Sequence, residues 1–194
     1  HSSLIQHFNF LAELGHRLYL NSNLRLAISH SSEGTYKYSG SVVKVSEGRI
    51  KNRLGDVLLA QNTDGYKFIG TDSTGKICET PDNSDPVYSV CYYYETYIFE
   101  KRLDKQEKGV KQIVIEGTGG PGSRPSLEME AAIRSKIDEG YYATMALSRF
   151  EVLMEKGDGF DRNTEVKVVR STGSTDDLFK LINNAAKSGF RLGP

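Results

Sequence analysis

From Arg17 to Phe99 the chain alternates apolar and polar residues in short runs: RLYL, LRLAI, TYKYS, SVVKV, DVLLA, YKFIG, GKICE, PVYSV and ETYIF. A period of two sends successive side chains to opposite faces of a strand. Polar or Gly-containing marks separate the runs: NSN, SSEG, SEG, NTDG, DSTG and PDNSD. Short strands broken by turn signals about every eight to twelve residues predict an all-β sandwich or barrel. Gly65 and Gly75 follow Asp64 and Thr74, where the turns call for positive φ.

Three stretches depart from this rhythm. In 1–15, the apolar residues Leu4, Phe8 and Leu11 fall on one helical face, so this arm reads as a short amphipathic helix or a packed extension. Residues 103–136 run from a charged segment through one apolar strand (112–116) and the linker GTGGPGSRP into SLEMEAAIRSK. Ser126 as N-cap with Glu128 and Glu130 in the first turn predicts a short helix there. This block reads as an insertion. YYATMAL, FEVLM and EVKVVR then resume the strand pattern. In the tail, Ser174 or Thr175 caps a helix with Leu178, Leu181 and Ile182 on one face and Gly189 at its end.

Composition narrows the classes. The chain has 194 residues, 38% hydrophobic and 26% charged, with Lys and Arg balancing Asp and Glu. That is an ordinary globular composition, long enough for one well-buried core. Zero net charge removes any global attraction to nucleic acid, and no apolar run approaches membrane-spanning length. No signal-peptide pattern opens the chain, as in a mature secreted protein after cleavage.

Three strand–turn–strand units stand out: 17–28, 56–79 and 140–154. They recur at roughly forty-residue intervals once the insertion is set aside, a rhythm shared by a pseudo-threefold β-trefoil and by sandwiches. The residues carry a more specific likeness. RLYLNSNLRLAI resembles the first hairpin of the fibroblast growth factors. YKFIGTDSTGKI is similar to that family's middle signature, Tyr-Leu-x-Met-Asn-x-x-Gly-x-Leu. DPVYSVCYYYETYIF is similar to the segment that follows it, EGYYATMA to the family's Trp-Tyr-x-Ala hairpin, and TEVKVVR to its closing strand. The likeness covers about 16–103 and 137–171 in the family's order.

The resemblance implies an all-β chain. It would have an arm at 1–15, a β-trefoil core of about twelve strands at 16–171 interrupted by the insertion at 103–136, and a helical tail at 172–194. It further implies a secreted growth factor, acting in developmental signalling. Such a ligand binds and activates a receptor tyrosine kinase of the fibroblast growth factor receptor type, with heparan sulfate or a Klotho-type co-receptor. It is not an enzyme and needs no cofactor or metal. Residues carried over as receptor contacts are Tyr19, Glu95, Tyr97 and Val169; those facing heparan sulfate or the co-receptor are Arg149, Lys156, Arg162 and Lys167.

Two departures from the family's pattern matter. Pro86 stands where the family has a Cys, and Tyr94-Glu95 replaces its Glu-Asn pair. The stretch matching the heparin loop sets its four cations against Glu151, Glu155, Asp158, Asp161 and Glu165, which predicts weak heparin affinity.

Other chemistry is less distinctive. Cys78 and Cys91 flank the PDNSD turn; neighbouring strands there would bring them into disulfide range, and two buried free thiols are the other reading. Tyr92, Tyr93 and Tyr94 cannot all face one core, because strand side chains alternate. Tyr19 and Tyr97 read equally as ordinary sheet residues. Asp158 or Asp161 with Glu165 and Lys167 imitates a metal-dependent nuclease motif, but the acid spacing is short for two strands and the setting lacks α/β character. A lectin or interleukin-like trefoil is a further alternative; the absence of Trp weighs against ricin-type lectins. His7, His16 and His30 lack metal-ligand spacing.

Overall fold

In the computed structural model the described residues are 2–21, 26–31, 34–46, 54–79, 90–104, 111–116, 126–148, 151–156 and 174–190. They form, in order, α1 (Ser2–Glu13), β1 (His16–Asn21), β2 (Leu26–Ser31), β3 (Tyr36–Ser46), α2 (Leu54–Thr63), β4 (Lys67–Ser73), β5 (Ile77–Glu79), β6 (Val90–Arg102), β7 (Lys111–Glu116), α3 (Ser126–Asp138), β8 (Tyr141–Ser148), β9 (Glu151–Lys156) and α4 (Thr175–Lys187). The chain is β-rich with four helices among these residues, and its strands lie in three open sheets. It divides into two compact units, 1–110 and 111–194.

The first unit is organised on β6. β3 runs antiparallel along one side of it, from Tyr36 opposite Arg102 to Ser46 opposite Tyr92. β4 and β5 share the other side, β4 against Glu95–Glu100 and β5 against Val90–Tyr92. TYKYS and SVVKV, expected as two strands, are the single strand β3. α1 packs Phe8 and Ala12 onto Leu18, Tyr36, Tyr38 and Ile98, with Leu4, Ile5 and Leu11 alongside, on the spacing read from the sequence. Among the described residues β3 ends the order of its sheet, so part of its backbone has no strand neighbour among them. Asn9 supplies one: its amide donates to the Tyr38 carbonyl at 3.1 Å and accepts from the Tyr38 N–H at 2.8 Å. The opposite face of the sheet gathers Phe68, Tyr97 and Phe99 edge to face, at ring separations of 5.7 to 6.2 Å.

RLYLNSNLRLAI does form a hairpin: β1 and β2 pair from His16 opposite Ser31 to Asn21 opposite Leu26. The proposed second unit, 56–79, does not. DVLLA, expected as a strand, lies in helix α2. Leu54 and Leu58 are buried a turn apart while Leu59 is 76% exposed, so the period there is helical. β4 and β5 then each pair with β6 and not with one another. NTDG, expected as a hairpin turn, closes α2: Gly65 N–H bonds to the Asn62 carbonyl and Tyr66 N–H to that of Gln61. Gly65 has φ of 80°, whereas Gly75 is not among the glycines with positive φ.

The second unit contains β7 and α3 of the stretch expected to be an insertion. Its sheet has the order β7-β9-β8, with β9 antiparallel to both neighbours. β7 and β8 are therefore parallel, joined by α3 and split by β9. Met129, Ile133 and Ile137 of α3 pack on Ile115 and Met154. The third hairpin, 140–154, is present as β8–β9. Ser174, one of the two expected caps, precedes α4, its hydroxyl accepting from the Asp177 N–H at 3.1 Å, and Gly189 follows the helix end with positive φ. No helix among the described residues is long and apolar enough to cross a membrane.

Gly40 tests how tightly α1 sits. A Cβ there would lie 2.8 Å from Ile5 Cγ1. Gly40→Val should therefore lower unfolding stability by about 1–3 kcal/mol in urea titrations. Ile5→Ala added to it should recover part of the loss, and an unchanged midpoint for Gly40→Val would show that α1 does not pack against this strand.

Candidate binding surface

Sequence reasoning placed Tyr19 on the first hairpin, and β1 does carry it there, 50% exposed. Arg17 shares its face of the strand by the period of two. The Arg17 guanidinium lies 5.3 Å from the Tyr19 ring centre and 4.8 Å from that of Tyr36. Arg102, opposite Tyr36 in the ladder, lies 5.8 Å from the same ring. Rings and guanidinium groups thus alternate from β1 across β3 to the end of β6, each contact favourable through the ring quadrupole.

Glu100 fixes this arrangement. Its residue is only 6% exposed. Arg17 reaches it with both Nε and Nη2, the latter at 2.7 Å, and Tyr38 donates its hydroxyl to Glu100 Oε2 at 3.1 Å. The Tyr38 hydroxyl also accepts from the Leu18 N–H at 2.9 Å, which ties β1 to the sheet. The hydrogen bond to Glu100 holds the Arg17 proton even more firmly than usual, outweighing partial burial. Burial pushes the Tyr38 hydroxyl well above its ordinary range. At the far end Arg102 grips Asp104 with Nε and Nη2, both at 2.9 Å. That hydrogen-bonded pair lowers the Asp104 carboxyl from 3.8 to about 2.

The other expected receptor contacts are placed differently. Tyr97 is 2% exposed, its ring against Phe68 and its hydroxyl donating to Glu95 at 3.2 Å. A ring so enclosed is not available to a partner. Glu95 is half-buried beside it. Tyr97 and Glu100 point to opposite faces of β6 by strand alternation, so the structure does not bring Tyr97 together with the Arg17–Tyr19 cluster. Val169, Arg149, Arg162 and Lys167 lie outside the described residues, as do Asp158, Asp161 and Glu165. Lys156 ends β9 in the second unit, its ammonium 5.5 Å from the Tyr141 ring.

Cys78 and Cys91 form a disulfide, joining directly opposed residues of β5 and β6. In the tyrosine run, Tyr92 and Tyr94 share a face, edge to face at 5.8 Å, as alternation requires. The Lys44 ammonium sits 3.5 Å from the Tyr92 ring centre, and the Tyr92 hydroxyl donates to Glu79. That bond, helped by burial, pushes the Tyr92 hydroxyl up to about 12.

Arg17, Glu100 and Arg102 were not singled out from the sequence. One signal was present: Glu100 shares parity with Ile98, and an acidic residue at an inward strand position demands a partner. No protein-family model, curated protein or solved structure matches the chain. The likeness to fibroblast growth factors therefore rests on its own residues alone.

Three measurements test the network. Tyr38→Phe leaves the buried Leu18 N–H without its acceptor and should cost about 1–3 kcal/mol. Leu18 amide exchange should quicken in the same variant; an unaltered rate would remove Tyr38 as the tie. The Asp104 carboxyl should titrate near 2 by NMR and return towards 3.8 in Arg102→Gln. Its folded value is depressed, so the stability it lends is present above 3.8 and is lost as pH falls towards 2.

Proposed function

We propose that the chain is a non-catalytic binding protein of an oxidising compartment, presenting the Tyr19–Arg17 surface to a protein partner. The observation that carries this reading is the Cys78–Cys91 disulfide, a bond that persists outside reducing compartments. The surface supports it in kind: aromatic and Arg side chains are the usual anchors of interfaces. Tyr19 is half exposed, with the Arg17 guanidinium over its ring.

The narrower form is a secreted ligand of a fibroblast-growth-factor-type receptor tyrosine kinase, assisted by heparan sulfate or a Klotho-type co-receptor. It is supported by the resemblance and by the hairpins at both ends of its span. It requires a β-trefoil, and the helix α2 within the second supposed lobe and the three open sheets weigh against that closure. In this form the receptor surface reduces to Tyr19 and its β1 neighbours, since Tyr97 serves the core. A second partner would add affinity by linking two weak contacts.

The purified chain, titrated over an immobilised receptor ectodomain with and without heparin, tests the narrower form. Binding that weakens about tenfold in Tyr19→Ala, a difference of about 1.4 kcal/mol, is the expected result. No binding in either condition would remove the receptor reading. Two titratable thiols with no disulfide-bonded fraction in protein recovered from its native compartment would remove the broader one.

A further inference from the structure

β5 has three residues, Ile77–Glu79, all exposed, and its partner is the start of β6. Strands in folded proteins usually have about five or six residues, and a three-residue edge strand forms too few ladder bonds to stay docked by them alone. Two side-chain ties supplement the ladder. One is the Cys78–Cys91 disulfide; the other is the hydrogen bond from the Tyr92 hydroxyl to Glu79. The cysteines are opposite each other in the register, with Cα atoms 4.1 Å apart, so the bond crosses a single ladder. It staples this edge strand directly to the strand beneath it. Cys78 is exposed and Cys91 half-buried, so an attacking thiolate has access to the Cys78 sulfur.

We propose that this disulfide is a redox latch: its reduction releases β5 and uncovers the edge of β6 at Val90–Tyr92. The reductant is a dithiol. One of its thiolates attacks Cys78 Sγ, forming a mixed disulfide and expelling Cys91 as a thiolate, which takes up a proton. The second thiol of the reductant then displaces Cys78, which leaves as a thiol, and the reductant ends as a disulfide. Two electrons and two protons pass to the protein. Thr74 stays bonded to the Tyr94 backbone through both its N–H and its hydroxyl, so release stops at that point of the strand. The freed edge carries unpaired N–H and C=O groups beside the Tyr92 and Tyr94 rings, the kind of edge on which an extended segment adds as a strand.

Amide exchange of the full chain, followed by mass spectrometry, tests the latch. The oxidised protein is compared with protein reduced by dithiothreitol and with the Cys78→Ser/Cys91→Ser double variant. The expected result is exchange about tenfold or more faster at 77–79 and 90–92 in both altered forms, reversed on reoxidation of the wild type. Residues 96–100 of the same strand should stay within about twofold, because β3 and β4 still flank them. Unchanged exchange at 77–79 would overturn the latch. So would loss of protection along all of 90–102, which would make the disulfide a support of the whole unit. Oxidised Tyr92→Phe should exchange more slowly at 77–79 than the reduced wild type; equal rates would assign the hold to Tyr92 and also overturn the proposal. None of these outcomes depends on receptor binding, so the latch and the ligand reading stand or fall separately.

Discussion

The first unit depends on one buried carboxylate. Glu100 sits on the central strand beside the buried Ile98, which shares its face, and it is almost fully enclosed. An ionised carboxylate in such a place costs several kcal/mol to desolvate unless every oxygen is matched. Arg17 matches both oxygens and Tyr38 adds a hydroxyl. Those two residues come from β1 and β3, so satisfying the charge draws the hairpin onto the sheet. Apolar packing gives no such directional demand. Phe8, Leu18 and Ile98 would tolerate a sliding hairpin; a bidentate Arg–carboxylate contact would not. Arg17 is one-third exposed, so the pair's value lies more in register than in net stability.

The same constraint orders the surface. With its guanidinium held by Glu100, Arg17 lies over the rings of both Tyr19 and Tyr36. Tyr19 therefore projects from a braced position and loses little freedom when a partner covers it. A ring fixed before binding costs less entropy to immobilise than a free one. Tyr97 illustrates the opposite fate of a strand tyrosine. It lies on the other face of β6, packed among Phe68 and Phe99, and its hydroxyl is satisfied by Glu95. Residue type alone could not separate the two, because both sit in alternating apolar runs; what differs is which layer covers each face.

Much of the architecture was legible in local pattern. The hairpins at 17–28 and 140–154, the helices at 126–138 and 175–187, and the α1 spacing all follow from periodicity and caps. Each of the four helices ends at a glycine with positive φ: Gly15, Gly65, Gly140 and Gly189. In each case the next residue is aromatic or His: His16, Tyr66, Tyr141 and Phe190. Read as a set, these marks identify TDGYK as a helix end. Read alone, Asp64-Gly65 is also the commonest hairpin turn signal, and that ambiguity turned α2 into a strand. Leu58-Leu59-Ala60 compounded it, since a short apolar run does not reveal its period by itself. The pairing of β4 with a strand further along the chain was not legible, because register between distant segments leaves no local trace; the neighbouring of β5 and β6 was one of the two readings of Cys78 and Cys91.

β6 unites these threads. Its thirteen residues pair with three other strands, and its two ends are held by different chemistry. At its start, Val90–Tyr92 pairs, among the described residues, with the short β5 on one side, across a covalent bridge. At its end, Glu100 and Arg102 are fixed by ion pairs with Arg17 and Asp104. Between them, Thr96 to Phe99 is almost fully enclosed and flanked by β3 and β4. A long strand with a packed middle can tolerate a loosened end, because the ladder beyond the buried segment is independent of it. Charge fixes the end that presents Tyr19, and redox chemistry governs the end that carries Tyr92. The two surfaces can then respond to different conditions without the core between them being disturbed.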